Sequence, residues 1–283
     1  MKICYFNGNR LGVVQGDFVF DVTPVLDSLP AQRPPFPRHD TVAANLPTLM
    51  PKMSEMIAGA KGIPISSVRF DPPVANPGKV MAAPVNYLAH QIEAEADPKT
   101  FAIAQVLRVA EIGLFLKATS SIVGISDGVV VSFPERRTDH EIELTAIIGK
   151  GGRNISEEDA LDHVAGYTIG LDMTLRGPEE RSLRKSLDTY TVLGPWMVTS
   201  DEFGDPSDVA LSLTVNGKPR QNARTSDLLM SVRSLIAFAS RFYRLEPGDV
   251  LMTGTPEGVG PVVAGDTITA TIEGIASVDI PVN

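Results

Sequence analysis

The chain has 283 residues, 43% of them hydrophobic and 21% charged, which is enough apolar material for a substantial core and too much for a disordered chain. Its net charge of −9, from 34 acids against 25 bases with no basic cluster, argues against nucleic acid and an anionic membrane surface as partners. Cys4 is the only cysteine, which excludes an intrachain disulfide and a thiolate metal cluster. In chain order, Met1 to Gly8 alternates like a strand and lacks the long apolar region of a signal peptide; no later run approaches the roughly 18 residues of a membrane span, so a reducing cytoplasm fits best. Residues 1 to 30 read as two short strands with turns at Asn7-Gly8-Asn9 and Gln15-Gly16-Asp17. Pro34, Pro35 and Pro37 break regular structure, a weak helix follows over residues 46 to 60, and Asp71-Pro72-Pro73 with Asn76-Pro77-Gly78 forms a connector. That divides the chain into a small N-terminal domain, 1–75, and a larger domain, 78–283.

From Lys79 onward, apolar strands and Gly/Pro turns dominate. Ser156 with Asp159 resembles a capping arrangement that opens a short helix through His163. The clearest helix runs from Asp227, its expected N-cap, to Tyr243, with Leu228, Leu229, Val232, Leu235, Ile236 and Ala239 at helical spacing. The pattern is a β-rich α+β chain rather than an alternating Rossmann one.

Chemistry concentrates in Asp139-His140-Glu141-Ile142-Glu143-Leu144, which reads as one strand running on through Ile148. Strand side chains alternate, so Glu141 and Glu143 share a face, roughly 6 to 7 Å apart, while Ile142, Leu144, Ala146 and Ile148 take the other. Two like charges side by side repel unless something positive lies between them. Asp172 ends a second apolar stretch, Val164 to Leu171, and three convergent carboxylates suit a hard cation such as Mg²⁺ or Mn²⁺. A solvated acidic strand edge is the plain alternative.

Four other patches matter. In Asn86 to Glu93, a helix makes His90 and Glu93 neighbours, as either a general-base dyad or a surface pair. Arg176 and Lys185 flank Arg181 and Arg184, either as cations for an anionic substrate or as a solvated basic loop. Lys117 follows an apolar strand and precedes Ser120-Ser121, where it serves the site or snorkels to solvent. Thr253-Gly254-Thr255-Pro256 to Gly260 lets backbone N–H groups approach an anion but lacks the ending of a nucleotide-binding P-loop.

The order of these patches is specific. Asn86-Tyr87, His90, Glu93, Lys117, Glu141, Glu143, Asp172-Met173-Thr174, Arg176, Lys185-Ser186, Asp188, Val215-Asn216-Gly217 and Thr253-Gly254-Thr255-Pro256 together resemble the fumarylacetoacetate hydrolase family over residues 78 to 283. The resemblance implies a mixed β-roll behind a small N-terminal domain, assembled as a homodimer. It implies Mg²⁺ or Mn²⁺ on Glu141, Glu143 and Asp172, with His90, Glu93 and Lys185 catalytic. Tyr87, Lys117, Arg176, Thr253, Gly254 and Thr255 fall at substrate-binding positions, the last three as a carboxylate anchor. The chain departs from relatives at Ala89 and Gly177, in a shorter stretch between Arg176 and Lys185, and in an extra helical piece over residues 101 to 111; these touch substrate identity more than the metal site.

The implied reaction is hydrolysis of a C–C bond in a β-diketo acid of the acylpyruvate type. His90, assisted by Glu93, activates water, and the metal stabilises the departing enolate. Oxaloacetate decarboxylation and oxo-acid isomerisation or hydration share that enolate logic, and a non-catalytic metal-binding protein is the remaining reading.

Overall fold

Burial, more than strand propensity, organises the fold. Val164–Asp172 and Ile142–Ile148 are buried at every position, so the sheet they centre is covered on both faces. The computed structural model describes residues 1–97 and 108–283. The largest sheet among them runs in the order Ile63–Pro64, Phe18–Asp21, Arg10–Gln15, Lys2–Phe6, Thr191–Thr199, Val164–Asp172, Ile142–Ile148, Val250–Met252, Val80–Ala82, Phe115–Lys117. A three-stranded sheet orders Thr174–Leu175, Thr138–His140 and Gly260–Val262, and a four-stranded one orders Lys218–Arg224, Ala210–Val215, Thr267–Ile272 and Ala276–Pro281. This is a β-rich α+β fold with few helices. Among the described residues no helix is long and apolar enough to cross a membrane.

The two faces carry separate cores. Ile142, Leu144, Ala146 and Ile148 join one cluster, together with Leu235, Ile236 and Ala239 of the helix Val232–Phe242. Ile147 faces the other, which holds Leu46, Leu49 and Met53 of the helix Thr41–Ile57. Fully burying each of the leucine, isoleucine and methionine side chains contributes about 1.5–3 kcal/mol. Glu143 shares Ile147's side of the strand, four residues toward its start, so the apolar face gives way to a carboxylate there.

Several elements differ from their sequence-based outlines. The first 30 residues form three strands rather than two, and Lys2–Phe6 pairs with Thr191–Thr199, extending the large sheet. The first long helix begins at Thr41, after the proline break, because Asp40 accepts from Ala43 N–H at 2.9 Å and caps it; Pro47 and Pro51 lie inside it. The helix expected from Asp227 begins at Val232, with Ser231 as N-cap. Leu228 and Leu229 match helical spacing, but Leu228 bridges to Tyr87 and Leu229 N–H donates to Asn86 O, which draws both out of the helix. Ser156 and Asp159 bond reciprocally, and the turn that follows is the 3₁₀ segment Ala160–His163. Of the helical piece expected over 101 to 111, residues 101–107 lie outside the described residues, and Val109–Ile112 forms a single turn.

Candidate metal centre

The run Asp139 to Ile148 is two strands, not one. Thr138–His140 belongs to the three-stranded sheet and Ile142–Ile148 to the large one, with Glu141 at the break. Antiparallel pairing sets Glu143 opposite Gly170, and Asp172 N–H donates to Glu141 O at 2.9 Å. Strand register therefore brings Glu141, Glu143 and Asp172 together, each offering an oxygen within 4.8 Å of the others. Their exposures of 5%, 1% and 1% rule out the solvated acidic edge.

Burying three carboxylates costs several kcal/mol per ion unless cations offset it. Lys185 Nζ reaches Glu141 at 2.8 Å and Asp172 at 2.7 Å, and donates to Thr174 Oγ1 at 2.7 Å. Lys117 Nζ pairs with Asp172 and donates to Tyr190 O, so it does not snorkel to solvent. Arg176 binds Asp139 at 2.7 Å and Glu141 at 3.1 Å. Burial pushes the Glu141 carboxyl up, but Lys185 and Arg176 outweigh it and bring it down to about 2. Glu143 has no ion pair among the described residues; it accepts only the Gly254 N–H, at 2.6 Å. Burial, with Asp172's charge beside it, holds Glu143 well above the usual carboxylate range. A buried all-oxygen trio with one carboxylate lacking a cation fits Mg²⁺ or Mn²⁺, whereas a soft ion would find no sulfur in the set.

His90 and Glu93 lie on the helix Leu88–Ala96, three residues apart, with Nδ1 and Oε2 at 3.0 Å. His90 is within electrostatic reach of Glu141. The other oxygen of Glu93 accepts the Gly258 N–H at 2.9 Å, which anchors the pair to the loop after Val250–Met252.

The hydroxyls of that loop are committed to the protein. Thr253 Oγ1 donates to Leu144 O and Thr255 Oγ1 to Ile142 O, at 2.8 and 2.9 Å, so both hydroxyls are engaged by the strand that carries Glu143. Ladder pairing with Val250–Met252 covers only Thr145 to Ile147, and the threonines satisfy carbonyls beyond it. Gly254 has φ of +102°, and a Cβ there would meet Asn86 Cβ at 2.7 Å. Asn86 in turn donates to Thr253 O at 2.8 Å.

The remaining predicted residues separate by role. Tyr87 is buried, its hydroxyl has no partner among the described residues, and burial followed by Glu143's charge raises its pKa. Arg184 donates to Glu179 O and Leu175 O, which makes it structural. Arg181 is half-buried, stacks 5.6 Å from the Phe115 ring centroid, and has no ion pair among the described residues; Lys185 flanks the same ring at 5.4 Å. Sequence reasoning missed Asp139, Thr174 and Gln221 as site residues. Thr174 was detectable, two residues beyond Asp172 on the same side of the chain, but Gln221 lies in an irregular polar run, Lys218–Arg224.

Residues 79–283 match the fumarylacetoacetate (FAA) hydrolase C-terminal family. A maleylpyruvate hydrolase from Aquipseudomonas alcaligenes is 51% identical over 284 residues, covering all of this chain and 99% of that one. The structure of a maleylpyruvate hydrolase from Sphingobium sp. SYK-6 in complex with manganese(II) and pyruvate superposes with a TM-score of 0.85 at 38% identity, covering 100% of this chain and 98% of that one. A fumarylpyruvate hydrolase from Pseudomonas aeruginosa, also in complex with Mn²⁺ and pyruvate, gives 0.61 at 31% identity, covering 74% and 91%. Motif order, carboxylate geometry and these likenesses agree, and the chain belongs to the fumarylacetoacetate hydrolase family.

Proposed function

We propose that this chain is a divalent-metal-dependent hydrolase that cleaves the C–C bond of an acylpyruvate, releasing pyruvate and a carboxylic acid. The observation that carries this reading is the buried trio Glu141, Glu143 and Asp172 beside the His90–Glu93 pair, in a chain 51% identical along its length to a maleylpyruvate hydrolase. Manganese and pyruvate bound together in a relative supports pyruvate as a product.

The trio would hold Mg²⁺ or Mn²⁺, which supplies a Lewis acid for the oxygens of the 2-oxo acid. Glu93 orients His90 through Nδ1, and His90 takes a proton from water at Nε2, the ring nitrogen not bonded to Glu93. The water oxygen bonds to the acyl carbonyl carbon. The C–C bond to the pyruvyl fragment then breaks, its electron pair stays on that fragment, and the proton held by His90 completes pyruvate. Lys185 supplies positive charge where negative charge develops, an effect worth a few kcal/mol per well-placed donor. Lys117 and Arg176 act through the carboxylates they pair with, while Tyr87 and the Thr253–Thr255 loop border the substrate. Arg181, half-buried and with no ion pair among the described residues, meets the distal carboxylate of a diacid such as maleylpyruvate.

Oxaloacetate decarboxylation needs no base for water, so the His90–Glu93 pair favours hydrolysis. Turnover of maleylpyruvate in ¹⁸O-water with Mn²⁺ tests this: the released diacid should carry one solvent oxygen. Bond cleavage with no label in the acid would exclude water attack. The cytoplasmic location and the homodimer belong to the same proposal and rest on the family resemblance and on buried Cys4; sedimentation equilibrium tests the dimer. Residues 1–75 are taken as the small N-terminal domain that extends the sheet at Lys2–Phe6.

A further inference from the structure

The strand Lys218–Arg224 lies at the edge of the four-stranded sheet and is mostly polar, yet Gln221 is 1% exposed. A buried primary amide has two donors and an acceptor oxygen with two lone pairs to satisfy, and here all four positions are used. Oε1 accepts from Ile142 N–H and from His140 Nδ1, both at 3.1 Å. Nε2 donates to Thr255 Oγ1 at 2.8 Å and to Pro256 O at 2.9 Å. A backbone N–H only donates and a backbone carbonyl only accepts, so Ile142 and Pro256 fix which way the amide faces. His140 must then carry its proton on Nδ1, and its buried Nε2 has no hydrogen-bond partner among the described residues.

The partners of Gln221 surround the metal ligands. His140 and Ile142 flank Glu141, and Ile142 separates Glu141 from Glu143. Thr255 Oγ1 donates to Ile142 O, so the N–H and carbonyl of Ile142 are held by side chains where pairing with Val250–Met252 has ended. The same edge strand supports the dyad. A Cβ at Gly258 would come within 1.9 Å of Arg220 O, so the loop rests directly on the strand, and Gly258 N–H donates to Glu93.

We propose that Gln221 is a positioning residue for the metal centre, fixing the backbone between Glu141 and Glu143 and tying it to the loop that seats Glu93. This rests on the metal reading above. The test is Mn²⁺ affinity, read from the free-Mn²⁺ EPR signal, for wild type, Gln221→Met, Gln221→Asn and Glu143→Ala. Near-UV circular dichroism checks the fold of each. Gln221→Met keeps the length and removes all four bonds, and its Kd should rise about 10–100-fold, the usual cost of losing a partner that orients a metal ligand. Gln221→Asn keeps the amide one methylene short and should fall between Gln221→Met and wild type; it carries the test if Gln221→Met does not fold. A folded Gln221 variant with Kd within about twofold of wild type would overturn the proposal, whatever its melting temperature. Glu143→Ala should lose most Mn²⁺ binding. If it binds as wild type does, the metal centre itself is misassigned and the proposal falls with it.

Discussion

Glu143 concentrates the tension of the centre. Lys185, Lys117 and Arg176 pair with its neighbours, while among the described residues its own oxygen meets only the Gly254 N–H, so its charge is disfavoured in the metal-free protein. Substitution to glutamine should therefore have opposite effects in two conditions. In EDTA, Glu143→Gln should melt at or above wild type, because a buried like charge is gone. With saturating Mn²⁺ the order should reverse, since wild type gains RT ln(1 + [L]/Kd) and the variant little of it; differential scanning calorimetry reads both. Arg181 gives a second residue-scale prediction. Hydrogen bonds to charged groups are worth about 1.5–3 kcal/mol, so Arg181→Gln should raise KM for a diacid acylpyruvate about 10–100-fold and leave that for acetylpyruvate near wild type. Equal changes for both substrates would remove the distal-carboxylate role.

At the scale of elements, the centre depends on a strand that leaves its neighbour early. Pairing of Ile142–Ile148 with Val250–Met252 stops at Thr145, and Thr253, Thr255 and Gln221 take over its peptide groups. Gly254→Ala should drive a Cβ into Asn86 and move the N–H that holds Glu143. Mn²⁺ affinity and kcat should then fall together by tenfold or more, on the order of the cost of losing a ligand's partner; unchanged affinity in a folded variant would count against this account. Much of this was legible in the residues: period-two alternation put both glutamates on one side, and three-residue spacing paired His90 with Glu93. The break at Glu141 was not, because the group that bonds the backbone beside it, Gln221, lies 80 positions downstream. Nor was the late start of Val232–Phe242, since Leu228 and Leu229 fit the helical period and leave it for contacts with Asn86 and Tyr87.

Across the whole molecule, the N-terminal strands are continuous with the sheet that holds the site. Lys2–Phe6 pairs with Thr191–Thr199, and Cys4 lies in the same core cluster as Ile142 and Leu144. Burial pushes the Cys4 thiol up to about 12, which makes it inert in the native state. Its reaction with DTNB should therefore follow unfolding of the large sheet, with exchange no faster than global opening; rapid labelling of native protein would mean that the N-terminal strands detach on their own.

The most direct test of the account is acylpyruvate cleavage, set beside oxaloacetate consumption, for wild type, Glu143→Ala and His90→Ala with Mn²⁺. The account predicts maleylpyruvate cleavage by wild type, with kcat reduced about 10²–10⁴-fold in His90→Ala and activity lost in Glu143→Ala. Oxaloacetate decarboxylation that requires Glu143 but survives His90→Ala, with no acylpyruvate cleaved, would contradict it.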